Sequence, residues 1–143
     1  MKSYIDAQPK SIQLCHIDAV PDNFLFVTGK DGSEEVKLTD WEYAGMQDPH
    51  LDVAMFIIYA MYDRDSAEKL IDLYFSDGCD KATRLKIYCY IAVSGLVWSN
   101  WCEFKRHCGV EFGAYAQRQY DYAREYTKIF FKEYREAFGR DYV

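Results

Sequence analysis

No stretch of this chain is apolar for long enough to cross a bilayer: the longest such run, Val53 to Tyr62, falls well short of the ~20 residues a spanning helix needs. The first residues, Met1-Lys2-Ser3-Tyr4-Ile5-Asp6, lack the apolar core of a secretory signal. Clusters of basic residues are missing too. Lys and Arg stand singly or in short pairs such as Lys105-Arg106, within a net charge of −6, which excludes the phosphate-gripping patches of a nucleic-acid binder. The five cysteines, Cys15, Cys79, Cys89, Cys102 and Cys108, follow no zinc or redox spacing and are expected as reduced thiols. The chain is therefore expected to be soluble and cytoplasmic, without membrane insertion.

What the sequence has in quantity is hydrophobic residues, at 50%, and rings: 13 Tyr, 9 Phe and 3 Trp in 143 residues. That hydrophobic content excludes disorder, and the length suits one domain with a real core. Tyr and Trp favour places where one end of the ring is buried and the other polar, as in ligand pockets, although a helical core also absorbs many rings.

The pattern along the chain divides near residue 48. The earlier part reads as strand and loop. Asn23-Phe24-Leu25-Phe26-Val27 and Glu35-Val36-Lys37-Leu38-Thr39 flank the turn-forming Thr28-Gly29-Lys30-Asp31-Gly32-Ser33, which predicts a β-hairpin. From Pro49 onward the pattern is helical. Helices are expected over Leu51–Tyr62, Ser66–Phe75, from a cap at Asp80 to about His107, and from about Gly113 to Phe138. The fold class is α+β, mainly helical with a short hairpin.

The most informative segment is His16-Ile17-Asp18-Ala19-Val20-Pro21-Asp22-Asn23, which holds the His-x-Asp-x-x-x-x-Asn spacing of a phosphotransferase catalytic loop. In that chemistry Asp18 accepts the proton of a substrate hydroxyl or aligns it. Asn23, at the start of the hairpin, offers an amide oxygen to a metal, and His16 braces the loop from beneath. The three-residue pattern alone arises by chance in roughly two of a hundred sequences of this length. After the hairpin comes Asp40, at the end of a strand where a kinase carries its metal-binding Asp. The hairpin brings Asn23 and Asp40 together as oxygen ligands for Mg²⁺, with Glu42 available directly or through water. Taken singly, Asp18, Asn23 and Asp40 also read as ordinary turn and cap residues.

These segments, with Asp40-Trp41-Glu42-Tyr43-Ala44-Gly45-Met46-Gln47-Asp48-Pro49 and Leu51-Asp52-Val53-Ala54, resemble the choline/ethanolamine kinase branch of the aminoglycoside-phosphotransferase-like superfamily. The resemblance implies the C-terminal lobe of a protein-kinase-like fold and ATP-dependent phosphorylation of choline or ethanolamine. It implies Asp18 as base, Asn23 and Asp40 as Mg²⁺ ligands, and Asp52 as support for the catalytic loop. Ile17 departs from the Asn common there. Trp98 and Trp101, three apart on one helical face, match a Trp pair that holds the substrate cation, and Tyr115 matches a pocket tyrosine. Tyr59 and Tyr62 are further candidate walls. A Trp pair at this spacing is also common in plain helix packing, and Trp41 is read as core. His50 and His107 have no ligand spacing.

A nucleotide clamp of glycine-rich loop and Lys is not supplied by the 15 residues before His16, and Gly29 and Gly32 belong to the hairpin turn. The expectation is a lobe inactive by itself and prone to self-association: a fragment, a truncated product or part of an assembly. The alternatives are a phosphotransferase for an aminoglycoside, thiamine or another alcohol, and a non-catalytic choline-binding module.

Overall fold

The computed structural model describes every residue from Met1 to Val143. In chain order the elements are α1 (Lys2–Ala7), β1 (Gln13–Cys15), a 3-10 turn (Pro21–Asn23), β2 (Phe24–Thr28), β3 (Glu34–Leu38), β4 (Gly45–Gln47), α2 (His50–Tyr59), α3 (Arg64–Tyr74), α4 (Lys81–His107) and α5 (Ala114–Phe138). This is the expected α+β class, dominated by helix.

The core forms where α2, α4 and α5 meet. α2 buries Val53, Ala54, Met55, Ile57 and Ile58, so it is apolar nearly all round, as a helix packed on several sides must be. α4 is roughly 40 Å long and runs against α5. Their close approach requires Gly95, because a Cβ there would stand 2.7 Å from the carbonyl oxygen of Gln119 and 2.9 Å from Cβ of Tyr122. Asp80 caps α4, accepting from the Thr83 amide at 3.0 Å and its hydroxyl at 2.6 Å. Lys105 and Arg106 stand in its last turn, where cations complement the helix dipole. Asp63 caps α3 in the same manner, through the Ser66 amide at 2.9 Å.

Strands occupy the first third in two antiparallel pairs. β1 pairs with β4, setting Leu14 opposite Met46 and Cys15 opposite Gly45. β2 pairs with β3, from Phe24 opposite Leu38 to Thr28 opposite Glu34, as the alternating pattern predicts. One element was not expected: the first residues form α1 rather than loop. Only six residues long and without a side-chain cap, it leaves no local signal and is held by tertiary contact. Tyr4 and Ile5 are buried, and the Tyr4 ring packs edge-on against Phe130, Tyr134 and Tyr142. All five cysteines are free thiols, and no helix is long and apolar enough to cross a membrane.

Candidate active site

β1 delivers the loop His16-Ile17-Asp18 to the first turn of α2, where Asp52 receives it. The Asp52 carboxylate accepts the amide of His16 at Oδ2 and that of Ile17 at Oδ1, each at 2.8 Å. An acidic residue is also favoured there by the helix N-terminus. Between these bonds the backbone turns through a positive φ of 69° at Ile17, a conformation that costs a β-branched residue energy. The buried His16 ring bonds the Thr39 carbonyl through Nε2 at 2.7 Å, so Nε2 carries the proton. Its ring meets the edge of Trp41 at 4.8 Å.

The same link draws β3 to the loop. Thr39 donates its amide and hydroxyl to the Asn23 carbonyl at 3.0 and 3.2 Å, so the hairpin register sets Asn23 beside the segment that leads into Asp40. Asn23 Nδ2 donates to the Asp18 carbonyl at 3.1 Å, which leaves its amide oxygen without a protein partner. Asp40 takes a positive φ of 63°, a bend that Asp tolerates better than most residues. No group of three or more His, Cys, Asp or Glu gathers for a metal. One amide oxygen with one or two carboxylates is a poor set for zinc. It fits a hard cation that takes its remaining ligands from phosphate and water.

Asp18 opens onto a cavity of about 780 Å³. Asp22, Ile17 and Met55 line it together with the rings of Tyr43, Tyr59, Trp98, Trp101, Phe112 and Tyr115. The rings form a chain of contacts. Tyr59 lies 5.6 Å from Trp98, Trp98 meets Trp101 at 5.1 Å and 90°, and Trp101 meets Phe112 at 5.2 Å. Lys105 Nζ sits 5.5 Å from the Trp101 ring centre. The Tyr59 hydroxyl donates to Asp18 Oδ1 at 2.7 Å. Burial, then that neighbouring carboxylate, push the Tyr59 phenol far above its ordinary range. Burial pushes Tyr115 up to about 12.

Of the residues singled out from sequence, Asp18, Tyr59, Trp98, Trp101 and Tyr115 share this cavity, while Asp52, His16, Asn23 and Thr39, which leads into Asp40, are joined by hydrogen bonds around the loop that carries Asp18. Glu42 follows Asp40 on an exposed turn. Tyr62 lies elsewhere. Expected as the end of α2, it falls beyond the helix, which stops at Tyr59, and beyond a positive φ of 51° at Met61. Its ring packs on Phe56 instead. Trp41, read as core, is half-exposed and donates to the Leu38 carbonyl at 2.8 Å. Tyr43, within the Asp40–Pro49 segment, and Phe112, just before α5, also line the cavity, and neither has a spacing that marks it as a wall.

A buried ion pair has no spacing in the sequence that marks it. Lys86 Nζ contacts Asp48 Oδ2 at 2.7 Å and donates to the Pro9 carbonyl at 2.9 Å, with both side chains almost fully buried. Tyr90 and the His50 amide also reach the carboxylate, each at 3.2 Å, and the His50 ring nitrogen Nδ1 lies 3.3 Å from Oδ1. Burial opposes ionisation of Asp48, but Lys86 and the His50 amide outweigh it and hold the carboxyl below its ordinary range. The pair ties the chain before β1 to the chain after β4, at the base of the strands that carry the His16–Asp18 loop.

A helical body, a short hairpin and an Asp opening onto a ring-lined cavity match the C-terminal lobe of a kinase-like fold. Residues 1–78, more than half the chain, match the family model for choline/ethanolamine kinases, and the chain belongs to that family. Protein LicA of Haemophilus influenzae is 30% identical over 121 residues, an alignment covering 76% of this chain and 41% of that protein. A choline/ethanolamine kinase family protein from Mesorhizobium loti superposes with a TM-score of 0.73 at 27% identity, over 89% of this chain and 43% of its own. The choline kinase LicA from Streptococcus pneumoniae gives 0.66 at 27% identity, over 90% and 44%, and LicA in complex with AMP gives 0.67 at 26% identity, over 90% and 43%. The chain thus spans less than half the length of these relatives.

Proposed function

We propose that this chain is the acceptor-binding and catalytic half of an ATP-dependent kinase for a small quaternary-ammonium alcohol, choline before ethanolamine. The observation that carries the reading is that one cavity holds both Asp18 and six aromatic rings. A quaternary ammonium has no N–H to donate, and aromatic faces are what attract it. Asp18 and Asp22 are the only charged residues of the lining. An aminoglycoside, with several ammonium groups, calls for a cleft rich in carboxylates. The names of the related choline kinases, and the AMP held by one of them, support the acceptor and the nucleotide.

In the reaction the acceptor's hydroxyl oxygen bonds to the γ-phosphorus of ATP. The bond to the bridging oxygen breaks, its electron pair leaves with ADP, and the hydroxyl proton passes to Asp18. Asn23 and Asp40, with Glu42 directly or through water, would hold Mg²⁺, which neutralises charge on the transferring phosphates. The chain carries no glycine-rich loop with a Lys to clamp the nucleotide phosphates, and we expect no ATP turnover from it unaided. Apolar side chains left exposed on the strands, among them Leu14, Phe26, Val36 and Met46, favour self-association of the isolated chain.

Competition calorimetry with choline, ethanolamine and kanamycin tests the acceptor. The expected order of affinity is choline, then ethanolamine, then kanamycin. Tightest binding of kanamycin would refute the reading.

A further inference from the structure

A carboxylate has two oxygens, and a base that serves one hydroxyl must present one of them in a fixed direction. The backbone of Asp18 is fixed: its carbonyl accepts from Asn23 Nδ2 and from the Val20 amide at 2.8 Å. Its side chain has a single protein partner, the Tyr59 hydroxyl at 2.7 Å on Oδ1. Tyr59 ends α2, seven residues after Asp52, so two helical turns separate them on one face. One helix therefore grips the catalytic loop twice, by its backbone through Asp52 and by its carboxylate through Tyr59.

The Tyr59 ring also packs at 5.6 Å against Trp98, and both rings line the cavity. The phenol is at once a wall of the cation cage and a donor to the base. Held in its protonated form, it can donate but cannot itself take up the acceptor's proton.

We infer that Tyr59 is a positioning residue: its hydroxyl occupies Oδ1 of Asp18 and so assigns Oδ2 to the acceptor alcohol, at a distance set by the ring that touches the cation's wall. This inference rests on the quaternary-ammonium reading above.

The test compares choline with ethyltrimethylammonium, the same cation without the hydroxyl, by calorimetry on this chain, so it does not depend on turnover. The unsubstituted chain should favour choline by about 10- to 100-fold, the range of one hydrogen bond to a charged group. Tyr59→Phe should keep its affinity for ethyltrimethylammonium within about twofold and lose the preference for choline. A preference that survives in Tyr59→Phe, or an equal weakening of both ions, overturns the positioning role and leaves the cage intact. Equal binding of the two ions by the unsubstituted chain also overturns it. Binding of neither ion overturns the acceptor reading itself. A second measurement needs no substitution in Tyr59. Its phenolic proton should give an NMR resonance protected from exchange with water, absent in Asp18→Ala and persisting when choline is added. Loss of that resonance on adding choline contradicts the assignment of Oδ2.

Discussion

Asp52 Oδ1 accepts the amide of Ile17 at 2.8 Å while Ile17 holds a φ of 69°, so a strained β-branched residue is pinned by the carboxylate of the next helix. The strain and the pin belong together: the turn aims Asp18 into the cavity, and without Asp52 nothing in the local sequence favours it.

Removing the pin should therefore cost more than a surface substitution does. Asp52→Ala leaves two amides of the loop without their acceptor and is expected to lower the unfolding free energy by about 3–5 kcal/mol. Asp52→Asn, which retains one acceptor oxygen, should lose about half as much. Urea unfolding checks both.

Relieving the strain should do the reverse. Asn tolerates a left-handed backbone that costs Ile about 1–2 kcal/mol, offset in part by lost apolar contact of the half-buried side chain. Ile17→Asn is expected to stabilise the chain by about 0.5–1 kcal/mol, read as a higher urea midpoint at unchanged slope.

The Lys86–Asp48 pair makes stability depend on acid. The Asp48 carboxyl is held below its ordinary 3.8 in the folded chain, so its contribution is complete above about pH 4 and is lost as pH falls through the folded value. Lys86→Met strands a buried carboxylate and should cost about 3–5 kcal/mol at pH 7. That cost should shrink as pH falls from 7, because burial favours protonation of the stranded Asp48 once Lys86 is gone. Unfolding curves at pH 7, 5 and 3 test the sign.

Alkali acts through the tyrosines. Burial raises Tyr4 and Tyr115 to about 12, above the ordinary value of 10, so their stabilisation is complete below pH 10 and is lost as pH rises toward 12. Phenolate absorbance at 295 nm should lag behind that of the urea-unfolded chain between pH 10 and 12. Coincident titration curves would rule this out.

Trp98 and Trp101 should separate packing from binding. Trp98 is half-buried and packs against the core, so Trp98→Ala should lower both stability and choline affinity. Trp101 is 38% exposed, and Trp101→Ala should leave the unfolding midpoint nearly unchanged while weakening choline by about 0.5–2 kcal/mol. Calorimetry and thermal melting on the same two variants make the comparison.

The sequence revealed most where chemistry is local. Asp18 and Asn23 stand five residues apart on one loop, and alternation on either side of a glycine-rich turn exposed the hairpin that sets Asn23 beside the Asp40 segment. Asp80 before a long apolar pattern marked the start of α4. Contacts made by distant segments left no such trace. Lys86 and Asp48 are 38 residues apart, α1 is held by rings from α5, and Phe112 reaches the cavity from a loop whose course no periodicity describes. Tyr62 is the opposite case: helical spacing continues in the sequence past Tyr59, where α2 ends.

If Asp18 is the base for phosphoryl transfer from ATP to a quaternary-ammonium alcohol, ³¹P NMR should follow the reaction in a polypeptide joining this chain to a nucleotide-gripping half, supplied with Mg²⁺, ATP and choline. Phosphocholine should form, with the rate falling about 10²- to 10⁴-fold in Asp18→Asn. Undiminished transfer by Asp18→Asn, or ATP hydrolysis without phosphocholine, would contradict it.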